Sequence, residues 1–331
     1  LLSGNDAEHE AWRIACVDEL KSLSNVETFT RTTVQGLYDG NLAVLVENRS
    51  HLGPDARKGE ARMLLTQLRA KTIVMATGAI ERPLVFSNND RPGVMLASAA
   101  RGMVERYGVA PGSSGVVFTN NDDAYQTAIV LKDAGIGVRV VDSRGRAEGA
   151  LPNKAREMGI QVDTGSVISA VNTTWGGLNI TDVKIASYRK GQGRVIKESK
   201  AEADFVAMSG GWNPALHLWC HNGGKIRFDE QIQSFRPDRH HDKITAIGAA
   251  NGHFGLSQIL EEAYAAGSKL AGTGNVHPVP AAVCYRDDVI YVKQDIGRGL
   301  SAVLTLKSIS LKNFKSRSRA YCFSFIHSLF R

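Results

Sequence analysis

Apolar positions Ala11, Ile14, Ala15, Val17, Leu20 and Leu23 recur near the helical period, which predicts an amphipathic helix over 6–24. After Asn25 the run Val26-Glu27-Thr28-Phe29 predicts a short strand. Residues 32–37 and 42–47 predict a hairpin around Tyr38-Asp39-Gly40-Asn41. Residues 72–76 form a β-branched apolar run ending in Thr77-Gly78, where small side chains let a ligand approach the backbone. The pattern restarts at Ser114, with a strand at 115–118 and a helix at 122–134 that offers Ala124, Ala128, Ile129 and Leu131 for packing. Gly135 stands where a helix stop belongs, and a strand at 137–142 and a helix at 153–158 follow. This strand–helix–strand order is the unit of a parallel, doubly wound sheet. Further strands are expected at 167–172, 178–186 and 205–208, then a breaker-rich loop at 209–214. A last strand at 243–247, a turn at Gly248 and a helix over 254–270 complete the pattern.

Length and charge refine this picture. A chain of 331 residues has room for two domains. Its net charge of +7 is concentrated after Asn275, where nine Lys or Arg face three acids. The basic balance therefore belongs to the tail and gives no sign of a nucleic-acid partner for the body. The tail itself shows no regular basic amphipathic face, which disfavours a membrane-surface arm. No apolar run approaches bilayer-spanning length, and the opening LLSGNDAEHE lacks both an initiator Met and a signal-peptide pattern, as a fragment would.

The four cysteines, Cys16, Cys220, Cys284 and Cys322, are far apart and form no C-x-x-C pair. Zinc, iron–sulfur and disulfide frameworks are thus disfavoured, and a reducing, cytoplasmic setting is expected. His240-His241 reads as a solvated loop, because adjacent side chains diverge. Ser209 and Ser257 lack the G-x-S-x-G elbow of serine hydrolases. Trp212, Trp219 and Phe228 are expected in a core or an interface.

A glycine-rich G-x-G-x-x-G loop, which would set amides against a pyrophosphate, is missing before residue 71. In the second unit Thr119-Asn120-Asn121 stands where such glycines belong. Asp122 adds negative charge there, and Asp142 ends the next strand in the place of a ribose-binding acid. Two readings stand for this unit, a dinucleotide fold kept for its shape and a working second nucleotide site.

Four stretches, ATGAIERPLVFSNNDRPGVMLASAAR (76–101), VVFTNNDDAYQTA (116–128), MSGGWNPALHL (208–218) and IGAANGHFGLSQILEEAYAAG (247–267), together resemble the α subunit of heterotetrameric sarcosine oxidase. That family lies within the two-dinucleotide-domain flavoproteins, and the resemblance covers residues 1–272. It implies an α/β fold of two interleaved Rossmann-like domains of the FAD/NAD(P)-binding, pyridine nucleotide-disulfide oxidoreductase type, incomplete at the N-terminus. Residues 1–112 plus 236–272 would form the first domain, without its glycine-rich loop, and 113–235 the inserted second. Residues 273–331 resemble no folate domain, and are read as a disordered or frame-shifted basic tail.

The resemblance further implies oxidative demethylation of sarcosine to glycine, giving peroxide and either formaldehyde or 5,10-methylenetetrahydrofolate. NAD is expected on this chain, FMN at its interface, FAD on the partner β subunit, and tetrahydrofolate on a C-terminal domain. The β, γ and δ subunits would be the partners, with sarcosine bound on β and this fragment inactive alone. Thr77, Gly78, Arg82, Asn120, Asn121 and Gly248 would lie near cofactor, with no catalytic residue and no metal ligand among them. Flavoproteins of this group usually carry Gly-Asp at the late turn. Here it is Gly248-Ala249, which fits either a plain turn or a contact through backbone amides. The alternatives are a non-catalytic scaffold subunit, or a subunit of a related amine or opine oxidase or hydrogen cyanide synthase.

Overall fold

A computed structural model describes residues 7–52, 61–188, 195–239 and 243–272. The tail after residue 272, with Cys284 and Cys322, and the pair His240-His241 lie outside the described residues. Helix α1 (Ala7–Ser22) leads to a three-stranded antiparallel meander of β1 (Thr32–Tyr38), β2 (Leu42–Asn48) and β3 (Met63–Arg69). The β1–β2 turn places Gly40 at φ +69° and Asn41 at φ +56°. Two successive left-handed residues suit the twist of a tight hairpin, and Gly and Asn adopt that conformation with least strain. Val26-Glu27-Thr28-Phe29, expected as a strand, is irregular instead. Four residues gain strand geometry only where a neighbour completes the ladder, and none of the described strands lies beside them.

Strand β4 (Ile73–Met75) pairs in parallel with β17 (Ile244–Ala246), setting Ile244 beside Ile73. Alternate residues of this short sheet serve two cores. Ile73, Met75, Ile244 and Ala246 pack against the meander with Val34, Leu37, Leu45 and Trp219. Val74, Ala76 and Ile247 face α6 (Leu256–Ala271) through Ile259, Leu260 and Ala263.

From β4 the chain passes through β5 (Ala79–Glu81) into β6 (Val94–Leu96) and α2 (Ala97–Tyr107). There follow β7 (Ser114–Thr119), α3 (Asp123–Asp133), β8 (Gly137–Asp142), α4 (Ala150–Glu157) and β9 (Gln161–Thr164). An antiparallel meander, β10 (Ser166–Thr173), β11 (Ile180–Tyr188) and β12 (Val195–Glu202), then leads to β13 (Phe205–Ser209). Strands β6-β13-β7-β8-β9 lie in that order in one all-parallel sheet. Val117, Val140, Phe205 and Ala207 point to the helices, whereas Val116, Phe118, Val141 and Val206 point to the meander. Both faces are thus buried, which is why these strands read as unbroken apolar runs.

The inserted sheet draws in β6 and α2, which a division at 112/113 would leave with the other domain. Helix α2 is not visible as a separate element in the sequence pattern, because its hydrophobic stripe is mostly alanine. Segment 209–214, expected as loop, contains a strand, β14 (Trp212–Pro214), that pairs antiparallel with β5. These two strands are the two passages between the sheets, and they pair with one another. A short helix α5 (His217–His221) and a hairpin of β15 (Ile226–Asp229) and β16 (Ser234–Pro237) return the chain to β17.

Candidate functional site

Ligands of open parallel sheets bind beyond the carboxyl ends of the strands. The first such place lies where β4 and β17 end side by side, Ile247 N–H donating to the Met75 carbonyl at 3.0 Å. It brings Thr77, Gly78 and Gly248 together. Thr77 Oγ1 donates to the Ala215 carbonyl at 2.8 Å, and the Gly78 carbonyl accepts the Ala215 N–H at 3.0 Å. Gly78 stands at φ +73° with open space where a Cβ would project, so backbone is exposed to close approach there.

Gly248, at φ +65°, donates its N–H to Glu262 Oε2 at 2.6 Å. The same oxygen accepts His253 Nδ1 at 2.9 Å, and Glu262 Oε1 accepts Asn251 Nδ2 at 2.5 Å. His253 Nε2 faces Arg236 Nη2 at 3.4 Å. A guanidinium can only donate, so Nε2 accepts and the ring proton sits on Nδ1. Burial alone would raise the Glu262 pKa, but the hydrogen bonds from His253, Asn251 and Gly248 outweigh it and hold the carboxyl below its usual range.

The inserted sheet has the second mouth, where β7 and β13 end. Asn121 Nδ2 donates to the Ser209 carbonyl at 3.2 Å, to Ser209 Oγ at 3.1 Å and to Asn120 Oδ1 at 3.1 Å. Both asparagines are buried, and the Asn121 amide nitrogen is spent within the protein. Arg144 Nη1 meets Asp122 at 2.7 Å and Arg144 Nη2 meets Asp142 at 2.7 Å. Tyr125 donates its hydroxyl to Asp142 at 2.8 Å. Burial opposes the Arg144 charge, yet its hydrogen bond to Asp142 and the Asp142 and Asp122 charges hold its proton tightly. Asp142 is 0% exposed, so it anchors Arg144 and Tyr125 rather than presenting itself to a ribose. Two carboxylates around one guanidinium leave a net negative charge beside the α3 N-terminus. Asp122 and Asp123 there occupy the end of the helix dipole that a phosphate would use. This mouth does not fit a dinucleotide pyrophosphate.

Between the mouths runs the β5–β14 ribbon. Glu81 Oε2 accepts Ser98 N–H at 2.9 Å and Ser98 Oγ at 2.5 Å. It thereby caps α2, whose N-cap residue Leu96 has no side-chain acceptor of its own. Burial raises the Glu81 pKa, against the lowering effect of the Ser98 and Ser209 hydroxyls. Trp212 Nε1 donates to Asp123 at 3.2 Å, and Arg101 lies 3.5 Å from the same carboxylate. Arg82 Nη1 donates to the Gln233 carbonyl at 3.0 Å, tying the ribbon to the β15–β16 hairpin. Arg82 therefore joins neither mouth through that contact.

Among the aromatics, Trp219 is buried, whereas Phe228 is half-exposed against Phe235 with ring centroids 5.4 Å apart. Cys220 is a free thiol. Among the described residues no group of three His, Cys, Asp or Glu side chains could hold a metal ion, and no helix is long and apolar enough to cross a membrane. Sequence reasoning missed Arg144, Tyr125 and Glu262. Arg144 had a local signal, since an arginine two residues after a strand-ending aspartate can fold back on it. Glu262 had none, as it is a helix residue fourteen positions from its partner Gly248.

No family model matches the chain. The α subunit of sarcosine oxidase from Corynebacterium sp. (strain P-1) is 38% identical over 287 residues, 85% of this chain. The chain is homologous to a segment of sarcosine oxidase α subunits. It spans 29% of the length of that Corynebacterium protein. An opine oxidase subunit from Agrobacterium tumefaciens (strain Ach5) is more distant, 26% identical over 71% of this chain and 47% of its own length. Among solved structures, L-proline dehydrogenase from P. horikoshii aligns with 83% of this chain and 52% of its own, at 19% identity and TM-score 0.49. The SNNDRPGV and TNNDD segments that carried the resemblance to sarcosine oxidase α subunits now have structural roles. The first leads into β6 and the second closes the inserted mouth.

Proposed function

We propose that this chain is the nucleotide-binding part of the α subunit of a sarcosine-oxidase-type complex, with NAD held at the β4–β17 mouth. The observation that carries this reading is the pairing of two left-handed glycines, Gly78 and Gly248, at adjacent strand ends with open space over Gly78. The Thr77-Gly78 backbone and the Gly248 turn would hold the dinucleotide there. Asn120 and Asn121 are assigned to closing the inserted sheet, and Arg82 to fixing the ribbon. NAD, when bound, supplies a hydride acceptor or a structural dinucleotide. The complete complex would demethylate sarcosine to glycine oxidatively, forming peroxide and either formaldehyde or 5,10-methylenetetrahydrofolate.

In this reading FMN lies at the subunit interface, FAD on the β subunit, and tetrahydrofolate on another domain of the α subunit, with γ and δ completing a cytoplasmic enzyme. Residues 1–331 alone would carry no oxidase activity, since in this reading amine oxidation takes place on the flavin of the β subunit. A second reading, a scaffold subunit that binds no nucleotide, is favoured by the closed inserted mouth. Purifying the full-length protein with its co-expressed partners decides between them. We expect sarcosine-dependent peroxide and stoichiometric NAD released on denaturing the α subunit. An active complex without NAD would establish the scaffold reading. Oxidation of opines but not of sarcosine would refute the substrate assignment.

A further inference from the structure

The Gly248 turn carries a feature that a plain strand-to-helix connection does not need. Three donors, Gly248 N–H, Asn251 Nδ2 and His253 Nδ1, converge on the carboxylate of Glu262 from α6. An ionised carboxylate offers about four lone-pair sites, so one is left open by these partners. The side chain is 20% exposed, so it is not sealed in the core. The carboxyl is also held in its charged form by the hydrogen bonds already described. Because an anion already sits on the Gly248 amide, a phosphate is repelled from this turn. A neutral donor is attracted instead, and the strongest neutral donors on a dinucleotide are its sugar hydroxyls. Carboxylates at the mouths of parallel sheets bind ribose hydroxyls in just this chemical sense.

We propose that Glu262 is a sugar-binding residue, accepting a ribose hydroxyl of the dinucleotide at the β4–β17 mouth and so supplying from α6 the carboxylate absent at Ala249. His253, aligned by Arg236, and Asn251 position that carboxylate. The inference rests on the reading that this mouth takes NAD. It predicts the chemistry of the contact as hydroxyl to carboxylate, with the phosphates seated away from Gly248.

The test is calorimetric titration of the full-length protein with NAD and with analogues lacking each ribose 2′- or 3′-hydroxyl in turn. In the wild type one deoxy analogue is expected to bind at least about tenfold more weakly than NAD, the usual scale for a hydrogen bond to a charged group. In Glu262→Gln that penalty should largely vanish, because Gly248 N–H and His253 Nδ1 claim the single amide oxygen and leave a donor NH2 group where Oε1 accepted. A merely structural role for Glu262 would leave the deoxy penalty intact in the variant, and that result would overturn the proposal. So would a wild type that binds every deoxy analogue as tightly as NAD, a comparison that does not depend on the variant folding. A wild type that binds no NAD at all would remove the underlying reading as well. Binding of NAD with additive penalties would remove only the role of Glu262.

Discussion

At the scale of single residues, the decisive side chains are buried ions whose partners lie on other elements. Arg144 is the clearest case, with a side chain only 9% exposed and two carboxylates in contact. Removing one member of a buried ionic network leaves uncompensated charge, which costs about 3–5 kcal/mol. Arg144→Met should therefore lower unfolding free energy by about that amount in denaturant titration. Adding Asp142→Asn to the same variant should recover part of the loss, and no recovery would show that packing rather than charge is at stake. Glu81 behaves in the opposite sense, since its folded pKa lies above the ordinary carboxylate value. The folded state then holds this proton more tightly than the unfolded state. Its contribution is fully present below the unfolded pKa and is lost as pH rises through the folded one. Glu81→Gln keeps an oxygen for Ser98 but cannot ionise, so its melting temperature relative to wild type should climb as pH rises above the ordinary carboxylate range of about 4. A constant difference over that rise would show that Glu81 does not titrate there.

At the scale of elements, much was legible because periodicity and turn chemistry are local. Helix α3, strand β8 and the β1–β2 hairpin came directly from apolar spacing, Gly135 and Asp39-Gly40-Asn41. What spacing could not show was pairing. The segment 26–29 has a strand-like composition but no described partner, whereas 212–214 has a breaker-rich composition yet pairs with β5. Strand β7 shows how closely such pairing is packed. A Cβ on Gly115 would overlap the Phe205 ring of the paired strand β13, and Phe205 is fully buried with no room to turn away. Overpacking of this kind costs about 1–3 kcal/mol. Gly115→Ala should show a loss of that size in thermal unfolding, and an unchanged midpoint would mean that β7 and β13 separate readily.

At the scale of the whole molecule, the described residues build two parallel sheets whose mouths differ. The inserted sheet is closed by Asp122, Asp142, Arg144 and Tyr125, while the β4–β17 sheet keeps open backbone over Gly78. The β5–β14 ribbon joins the two, and Glu81, Asp123 and Trp212 fasten it to α2 and α3. By itself the sequence determined the β1–β2 hairpin, the strand–helix–strand unit from β7 to β8, and the loss of glycines at Thr119-Asn120-Asn121. It did so because each depends on neighbours within a few residues. Only the tertiary structure decided that Arg144 bridges two carboxylates at the inserted mouth, that β6 joins that sheet with α2 packed on it, and that Glu262 reaches the Gly248 amide. Those outcomes rest on side chains brought together by burial of two separate cores. Burial is set by the packing of distant elements, and no spacing along the chain specifies it.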